Sequence, residues 1–262
     1  MLGRVAVHIS EEDADYLGYV KQVLVHFKAT PSFIFLPEEG FLGEITSLFT
    51  ASSEERRRAL RNHISEFFED FTLYTPEGSW DEFLEEVQGE YDTVFVKYRR
   101  LLFRKSIPEK LLTGTEGLRL WVYKEGSKAQ VKNVCLPVDF SERSIRQLEF
   151  AKALREHFNF NFRLLYAMKV ERFRDKLSNK EYSKHLEDRK EEVRHMYADL
   201  FGDEVVELQV IEGDPYRDMV KFINSSECDL VIVGRRGRGM RESIGSVSLH
   251  LLRSLKCPVV VL

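Results

Sequence analysis

The chain has 262 residues, of which 43% are hydrophobic and 31% charged, and a formal net charge of −4 at pH 7. This composition is typical of a globular protein with a packed core and excludes a disordered chain, and the charge gives no basis for general nucleic-acid affinity. No apolar run approaches the roughly 20 residues of a membrane helix, and the strand pattern at 4–10 leaves no room for a signal peptide, so we expect a cytoplasmic protein that binds neither nucleic acid nor membrane.

The first half of the chain alternates short apolar runs with charged or amphipathic segments, which predicts strands alternating with helices. The predicted strands are 4–10, 31–36, 71–74, 92–96 and 118–123. The predicted helices include a highly charged one over 52–71, one over 79–87 and one over 106–112. The polar stretch 124–130, which contains a glycine, then predicts a join between two domains.

The second half repeats this order with clearer boundaries. Its predicted strands are 131–139, 161–168, 205–211, 229–233 and 258–262. Ser141 is a suitable N-cap for the first helix, and a long charged helix lies within 171–200. Asp214 and Pro215 mark the start of a third helix, and a last helical pattern covers 249–255. Strands that alternate with helices in this way imply a parallel sheet covered on both faces, with ligands at the carboxyl ends of the strands.

Three cysteines lie in or beside these apolar runs. Cys135, Cys228 and Cys257 are odd in number and lack the spacing of a metal site. We therefore expect small buried hydrophobic side chains that stay reduced.

A glycine-rich stretch, 234–248, separates the strand at 229–233 from the last helix. Its glycines permit close backbone approach, and the N–H groups at a helix start attract an anion. Ser246 and Ser248 add hydroxyl donors at that start. The order of strand, glycine loop and helix therefore predicts a phosphate-binding loop.

The loop resembles the nucleotide loop of the universal stress protein family, whose pattern is Gly-x2-Gly-x9-Gly-Ser/Thr. Gly234, Gly237 and the pair Gly245-Ser246 match it, although seven residues rather than nine separate Gly237 from Gly245. The resemblance is strong over 131–262 and faint over 1–123. It implies an α/β fold of two tandem open parallel sheets, Rossmann-like and of the adenine nucleotide alpha hydrolase type, packed as a pseudo-dimer. Residues 1–126 would form a degenerate domain and 131–262 the nucleotide-binding one.

The same resemblance implies how an adenine nucleotide is held. Asp139 would contact the adenosine part, the backbone at Ala167 would read adenine, and the loop would hold ribose and phosphates. The complete set of predicted binding residues is Pro137, Val138, Asp139, Ala167, Gly234, Gly237, Gly245, Ser246, Val247 and Ser248. The ligand would be ATP, or AMP or ADP because the loop is short, with Mg²⁺ as a possible companion. Two alternatives stay open from the residues alone: Asp139 could only cap the next helix, and Ala167 could be an ordinary strand residue.

Basic residues surround the loop and its counterpart in the first half. Those of the loop, Arg235, Arg236, Arg238 and Arg241, could pair with phosphates or form a solvated rim. In the first half, Ser10 stands where the repeat predicts Asp139, and Lys97, Arg100 and Lys105 replace the three glycines. The basic segment that includes them could hold another anion, but a solvated loop or a contact between domains is the simpler interpretation.

The sequence shows no catalytic constellation. Its seven histidines lack metal-ligand spacing, and neither a nucleophile elbow nor a Walker lysine is present. The leading hypothesis is a stress-response regulator or nucleotide sensor that hydrolyses ATP slowly at most and acts on an unknown protein partner, as a monomer or a homodimer. The alternatives are an interaction protein of the same fold that binds no nucleotide, and a nucleotide-transfer enzyme.

Overall fold

A computed structural model describes residues 1–36, 51–75, 80–101, 104–169, 178–202, 206–235 and 244–262. The chain divides into two compact units, Met1–Gln130 and Val131–Val260 with Leu262. In each unit parallel strands alternate with helices, which confirms the predicted parallel α/β fold. Within the described residues, no helix has both the length and the apolar character needed to cross a membrane.

The first unit contains five strands and four helices among its described residues. In chain order they are β1 (Val5–Ile9), α1 (Ala14–Leu24), β2 (Ser32–Phe35), α2 (Ala51–Ser65), β3 (Thr72–Tyr74), α3 (Trp80–Glu90), β4 (Thr93–Lys97), α4 (Ile107–Gly114) and β5 (Arg119–Tyr123). The strand order is β3-β2-β1-β4-β5, and all of these pairs are parallel. β1 is buried along its whole length, as expected for a strand with both faces covered.

Helix α2 ends at Ser65, six residues before the predicted end at 71. The helix ends there, because the segment after it turns so that two aromatic side chains pack onto the sheet. The rings of Phe68 and Phe71 lie edge-on to Phe33 of β2, with centroids 5.2 and 5.6 Å away. Burying aromatic surface on the sheet outweighs the small gain from another helical turn.

The second unit repeats the arrangement. Its elements are β6 (Asn133–Pro137), α5 (Glu142–Arg155), β7 (Asn161–Met168), α6 (Asn179–Phe201), β8 (Glu207–Glu212), α7 (Asp218–Ser225), β9 (Leu230–Val233), α8 (Ser246–Ser254) and β10 (Val259–Val261). The strand order is β10-β9-β6-β7-β8. Counted within its own unit, each sheet therefore has the order 3-2-1-4-5.

Helix α7 begins at Asp218 rather than directly after Asp214 as predicted. The side chain of Asp214 accepts from the N–H groups of Tyr216 (2.8 Å) and Arg217 (3.2 Å), so it stabilises a turn that precedes the helix. Asp and Asn side chains commonly stabilise such turns in competition with the helix itself.

The three cysteine thiols are free, and that of Cys228 interacts with the other two. Only Cys135 is buried, so the prediction of burial is wrong for Cys228 and Cys257, which are partly exposed. The Cys228 thiol contacts the thiols of Cys135 and Cys257, and these contacts, with a smaller contribution from its partial burial, raise its pKa well above the ordinary range. A thiol held in this protonated form is a poor nucleophile at neutral pH.

Candidate functional site

A cleft opens in the second unit where the strand order reverses. β6 lies between β7 and β9. From β6 the chain continues to β7 on one side, and from β9 it continues to β10 on the other side. Open parallel sheets bind ligands at the carboxyl ends of strands at such a point. The cleft has a volume of about 220 Å³. Its lining consists of Pro137, Val138, Asp139, Gln147, Tyr166, Ala167, Pro215, Met219, Val233, Gly234, Gly245, Ser246, Val247, Ser248 and Leu251.

The structure brings the predicted binding residues together around this cleft. All of them except Gly237 contribute to its lining, and Gly237 lies outside the described residues, as do Arg236, Arg238 and Arg241. They come from the ends of three strands and the start of one helix, so only the fold makes them neighbours. Their contact with a ligand stays a prediction.

Asp139 lies at the exposed rim of the cleft, two residues beyond β6. Its Oδ1 atom accepts hydrogen bonds from the Ser141 backbone N–H (3.1 Å), the Ser141 hydroxyl (2.6 Å) and the Ser144 hydroxyl (3.2 Å). Ser141 is the N-cap residue of α5, as predicted, but its hydroxyl donates to Asp139 rather than capping the helix. Asp139 therefore supports the start of α5 indirectly, through the N-cap residue Ser141 and the Ser144 hydroxyl and not through a backbone N–H of the first turn. The same bonds fix the orientation of the carboxylate.

β7 extends beyond the end of β6 and presents its backbone to the cleft. The last bond between them joins the Val138 N–H to the Leu165 carbonyl, at 2.9 Å. In a strand, backbone groups two residues apart point to the same side. The N–H and C=O of Ala167 therefore face the same side as the Leu165 carbonyl, toward the space past Val138.

Gln147 is a cleft residue that the sequence did not identify. Its side chain is buried, and its Nε2 atom donates to the carbonyls of Pro137 (2.9 Å) and Ile232 (3.0 Å). These carbonyls belong to β6 and β9, which separate at this point, so the amide satisfies both strand ends beneath the cleft. The only signal in the sequence is a polar side chain beside the apolar positions of α5.

Replacing Gln147 by Leu is expected to lower the free energy of unfolding by about 1–3 kcal/mol, because two buried carbonyls lose their donor. Urea unfolding of Gln147→Leu and of Glu149→Leu, an exposed position on the same helix, provides the comparison. Glu149→Leu is expected to change the stability by less than about 0.5 kcal/mol. Equal midpoints for the two variants would show that the amide contributes no stability.

The start of α8 faces the cleft with its backbone N–H groups. Gly245 is the N-cap residue, no side chain caps it, and the first turn contains no acidic residue. The first N–H groups of a helix lack intrahelical acceptors and carry partial positive charge, so this end suits an anion. The Gly245 N–H donates to the Arg235 carbonyl (2.7 Å) and the Ser248 hydroxyl to the Gly234 carbonyl (2.6 Å), which tie the helix start to the end of β9.

The equivalent place in the first unit is occupied by its own side chains. Lys97, at the end of β4, pairs with Asp13, and Arg99 pairs with Glu11. At the start of α4, the buried carboxylate of Glu109 accepts from the Ser106 N–H at 3.1 Å. An internal anion therefore already lies at the helix end that corresponds to the start of α8. Lys97 and Arg99 have acidic partners here, whereas Arg100, Arg104 and Lys105 are exposed, as expected for a solvated loop.

Two further groups of side chains, candidate metal ligands and the histidine of β1, bear on the chemistry available to the protein. Among the residues that the structure describes, no group of three or more His, Cys, Asp or Glu side chains could hold a metal ion. His8 lies in the first unit, where its buried Nε2 is 3.0 Å from the Leu36 carbonyl and burial lowers its pKa to about 4. It is a core residue of β1, in agreement with its strand position.

Comparison with known proteins finds a family match for the second half of the chain and a similar fold for nearly all of it. The model of the universal stress protein family matches residues 130–262. Universal stress protein MJ0531 of Methanocaldococcus jannaschii is 26% identical over 139 residues, which cover 50% of this chain and 81% of that protein.

Several solved structures are similar along nearly the whole chain. A universal stress protein from Archaeoglobus fulgidus is 17% identical, with a TM-score of 0.67, and the match covers 98% of this chain and 95% of that one. PA1789 of Pseudomonas aeruginosa, a protein of unknown function, is 14% identical, with a TM-score of 0.65 and coverage of 100% and 92%. At these identities the similarity shows a shared fold. Since the family model matches half of the sequence and includes every residue of the cleft, this chain belongs to the universal stress protein family.

Proposed function

We propose that this protein binds an adenine nucleotide in the cleft of its second unit and acts as a nucleotide sensor in the stress response. The observation that carries the proposal is the convergence of Asp139, the Ala167 backbone, Gly234 and the start of α8 on one cleft. Each supplies the type of group that one part of a nucleotide needs. The proposal includes ATP, ADP and AMP, which share the adenosine part.

The adenosine part fits the end of the cleft formed by β6 and β7. The side chains of Val138 and Met219 are buried and apolar, and they line the same cleft as Ala167. An adenine ring needs apolar surface on its faces and a backbone donor and acceptor at its edge. The Asp139 carboxylate lies at the rim, where it can accept hydrogen bonds from ribose hydroxyls.

The phosphates fit the start of α8. Gly245 and Ser246 occupy the first positions there, and the end of β9 at Gly234 lies beside them. The seven-residue spacing of the loop is consistent with this placement, because the Gly245 N–H bonds directly to the Arg235 carbonyl and closes the loop at its base. The described residues supply no cluster of metal ligands, and Mg²⁺ is not part of the proposal.

We propose further that the two units are tandem universal stress domains, and that only the second binds nucleotide. The shared strand order of the two sheets supports the first point. The Glu109 carboxylate at the start of α4 and the Lys97–Asp13 ion pair support the second, because they fill the place that a phosphate would take. The proposed function requires no catalytic group, and any hydrolysis of ATP would be slow. Packing of the units as a pseudo-dimer, and formation of a homodimer, stay predictions.

Calorimetric titration with ATP tests the proposal. The Gly234→Val variant is expected to bind ATP about tenfold more weakly or worse, because an isopropyl group is added to a residue that lines the cleft. Gly89→Val is the matched control, since Gly89 is an exposed residue of α3 whose added Cβ would meet no atom within 4 Å. Absence of binding by the unmodified protein would instead favour an interaction protein of the same fold.

A further inference from the structure

The side chain of Tyr216 contacts the predicted phosphate end of the cleft from a different segment of the chain. Its hydroxyl lies 2.8 Å from the Ser246 hydroxyl, at the first residue of α8. Tyr216 belongs to the turn between β8 and α7, and neighbouring residues of that segment, Pro215 and Met219, line the cleft. Neither the loop pattern nor the strand repeat indicates this residue.

The turn holds Tyr216 in a fixed place. The Tyr216 N–H donates to Asp214 Oδ1 (2.8 Å), and the Asp214 N–H donates to Asp218 Oδ2 (2.8 Å). Gly213 precedes them at φ +155°, and a Cβ at that position would lie 2.3 Å from Asp218 Oδ2, so the turn requires glycine. The Tyr216 ring also lies edge-on to His250 in α8, with centroids 5.4 Å apart. The backbone bond to Asp214 and the ring contact with His250 therefore orient the Tyr216 hydroxyl toward Ser246.

A bound anion would decide which of the two hydroxyl groups, Tyr216 or Ser246, donates the hydrogen bond between them. A serine hydroxyl has one proton to donate and can accept at the same time. A phosphate oxygen can only accept, so Ser246 must donate its proton to the phosphate and accept from Tyr216. Each bond of such a chain polarises the next and strengthens it.

We propose that Tyr216 is a positioning residue for the nucleotide phosphates. Its hydroxyl donates to Ser246 Oγ and thereby directs the Ser246 proton to a phosphate oxygen at the start of α8. This inference rests on the proposed function and extends it. The Tyr216 hydroxyl would raise the affinity of the cleft for ligands that carry phosphate and leave its affinity for adenosine unchanged.

The Tyr216→Phe variant separates this role from a structural one, since it removes the hydroxyl and keeps the ring against His250. The Kd for ATP is expected to rise about three- to tenfold, as for loss of one hydrogen bond, while the Kd for adenosine stays unchanged. Equal weakening of ATP and adenosine, or no change in either, would overturn the inference.

A double-mutant cycle tests the route through Ser246. In the Ser246→Ala background, Tyr216→Phe is expected to cause no further change in the Kd for ATP, because the bond it removes is already absent. Independent, additive effects of the two substitutions would contradict the relay. If the unmodified protein binds neither adenosine nor ATP, the proposed function fails, whereas normal ATP binding by Tyr216→Phe overturns the role of Tyr216 alone.

Discussion

Acidification from pH 6.5 to pH 4 is expected to lower the free energy of unfolding of the wild-type protein by about 3 kcal/mol more than that of a His8→Gln variant. His8 is buried in β1, and burial, with a smaller contribution from the Arg99 charge, lowers its pKa from 6.5 to about 4 despite the opposing bond to the Leu36 carbonyl. The unfolded chain therefore takes up a proton below pH 6.5 that the folded chain refuses until about pH 4. The contribution of neutral His8 to the free energy of unfolding is fully present above pH 6.5 and is lost as the pH falls from 6.5 to about 4.

Urea unfolding at a series of pH values between 7 and 4 measures the effect. Carboxylates titrate in both proteins, so the difference between the two curves isolates His8. Parallel curves for the wild type and His8→Gln would show that the buried imidazole contributes no pH dependence.

Replacing Asp139 by Ala is expected to weaken binding of adenosine and ATP about tenfold or more, because a charge-assisted hydrogen bond contributes about 1.5–3 kcal/mol. The same variant is expected to lose about 1 kcal/mol of stability, because it lacks the Oδ1 atom of Asp139, which accepts three hydrogen bonds at the start of α5. Calorimetry and thermal unfolding measure the two effects separately.

The Asp139→Asn variant distinguishes ligand contact from helix capping. It retains an oxygen that can accept from Ser141 and Ser144, so its stability is expected to stay close to that of the wild type. It loses the negative charge, so its affinity for adenosine is expected to fall. An Asp139→Asn variant that binds as tightly as the wild type would assign Asp139 to the cap of α5 alone.

The sequence was sufficient to predict the parallel fold, because apolar runs of strand length alternate with helical patterns in both halves. It also predicted the family, since the glycine loop and the Pro137-Val138-Asp139 segment are local motifs. The end of α2 was predicted less well, because the packing of Phe68 and Phe71 on β2 is a tertiary effect. The clustering of the three cysteines depends in the same way on which strands become neighbours.

The unpredicted parts of the candidate site are those that connect separate elements. Gln147 bridges two strand ends, a role that exists only once β6 and β9 pair and then separate. Tyr216 contacts α8 from the turn before α7, which is held by Asp214 and by Asp218, the first residue of α7. The Glu109 carboxylate lies at the start of α4, the helix end that corresponds to the start of α8, and this correspondence depends on the shared fold of the two units.

The stoichiometry of ATP binding to the full chain, measured by calorimetry, is the most direct test of the central claim. We expect one nucleotide per chain, bound in the cleft of the second unit with an affinity that Gly234→Val lowers. Two nucleotides per chain would contradict the assignment of the first unit as a domain that does not bind nucleotide. No detectable binding would contradict the nucleotide-sensor function itself.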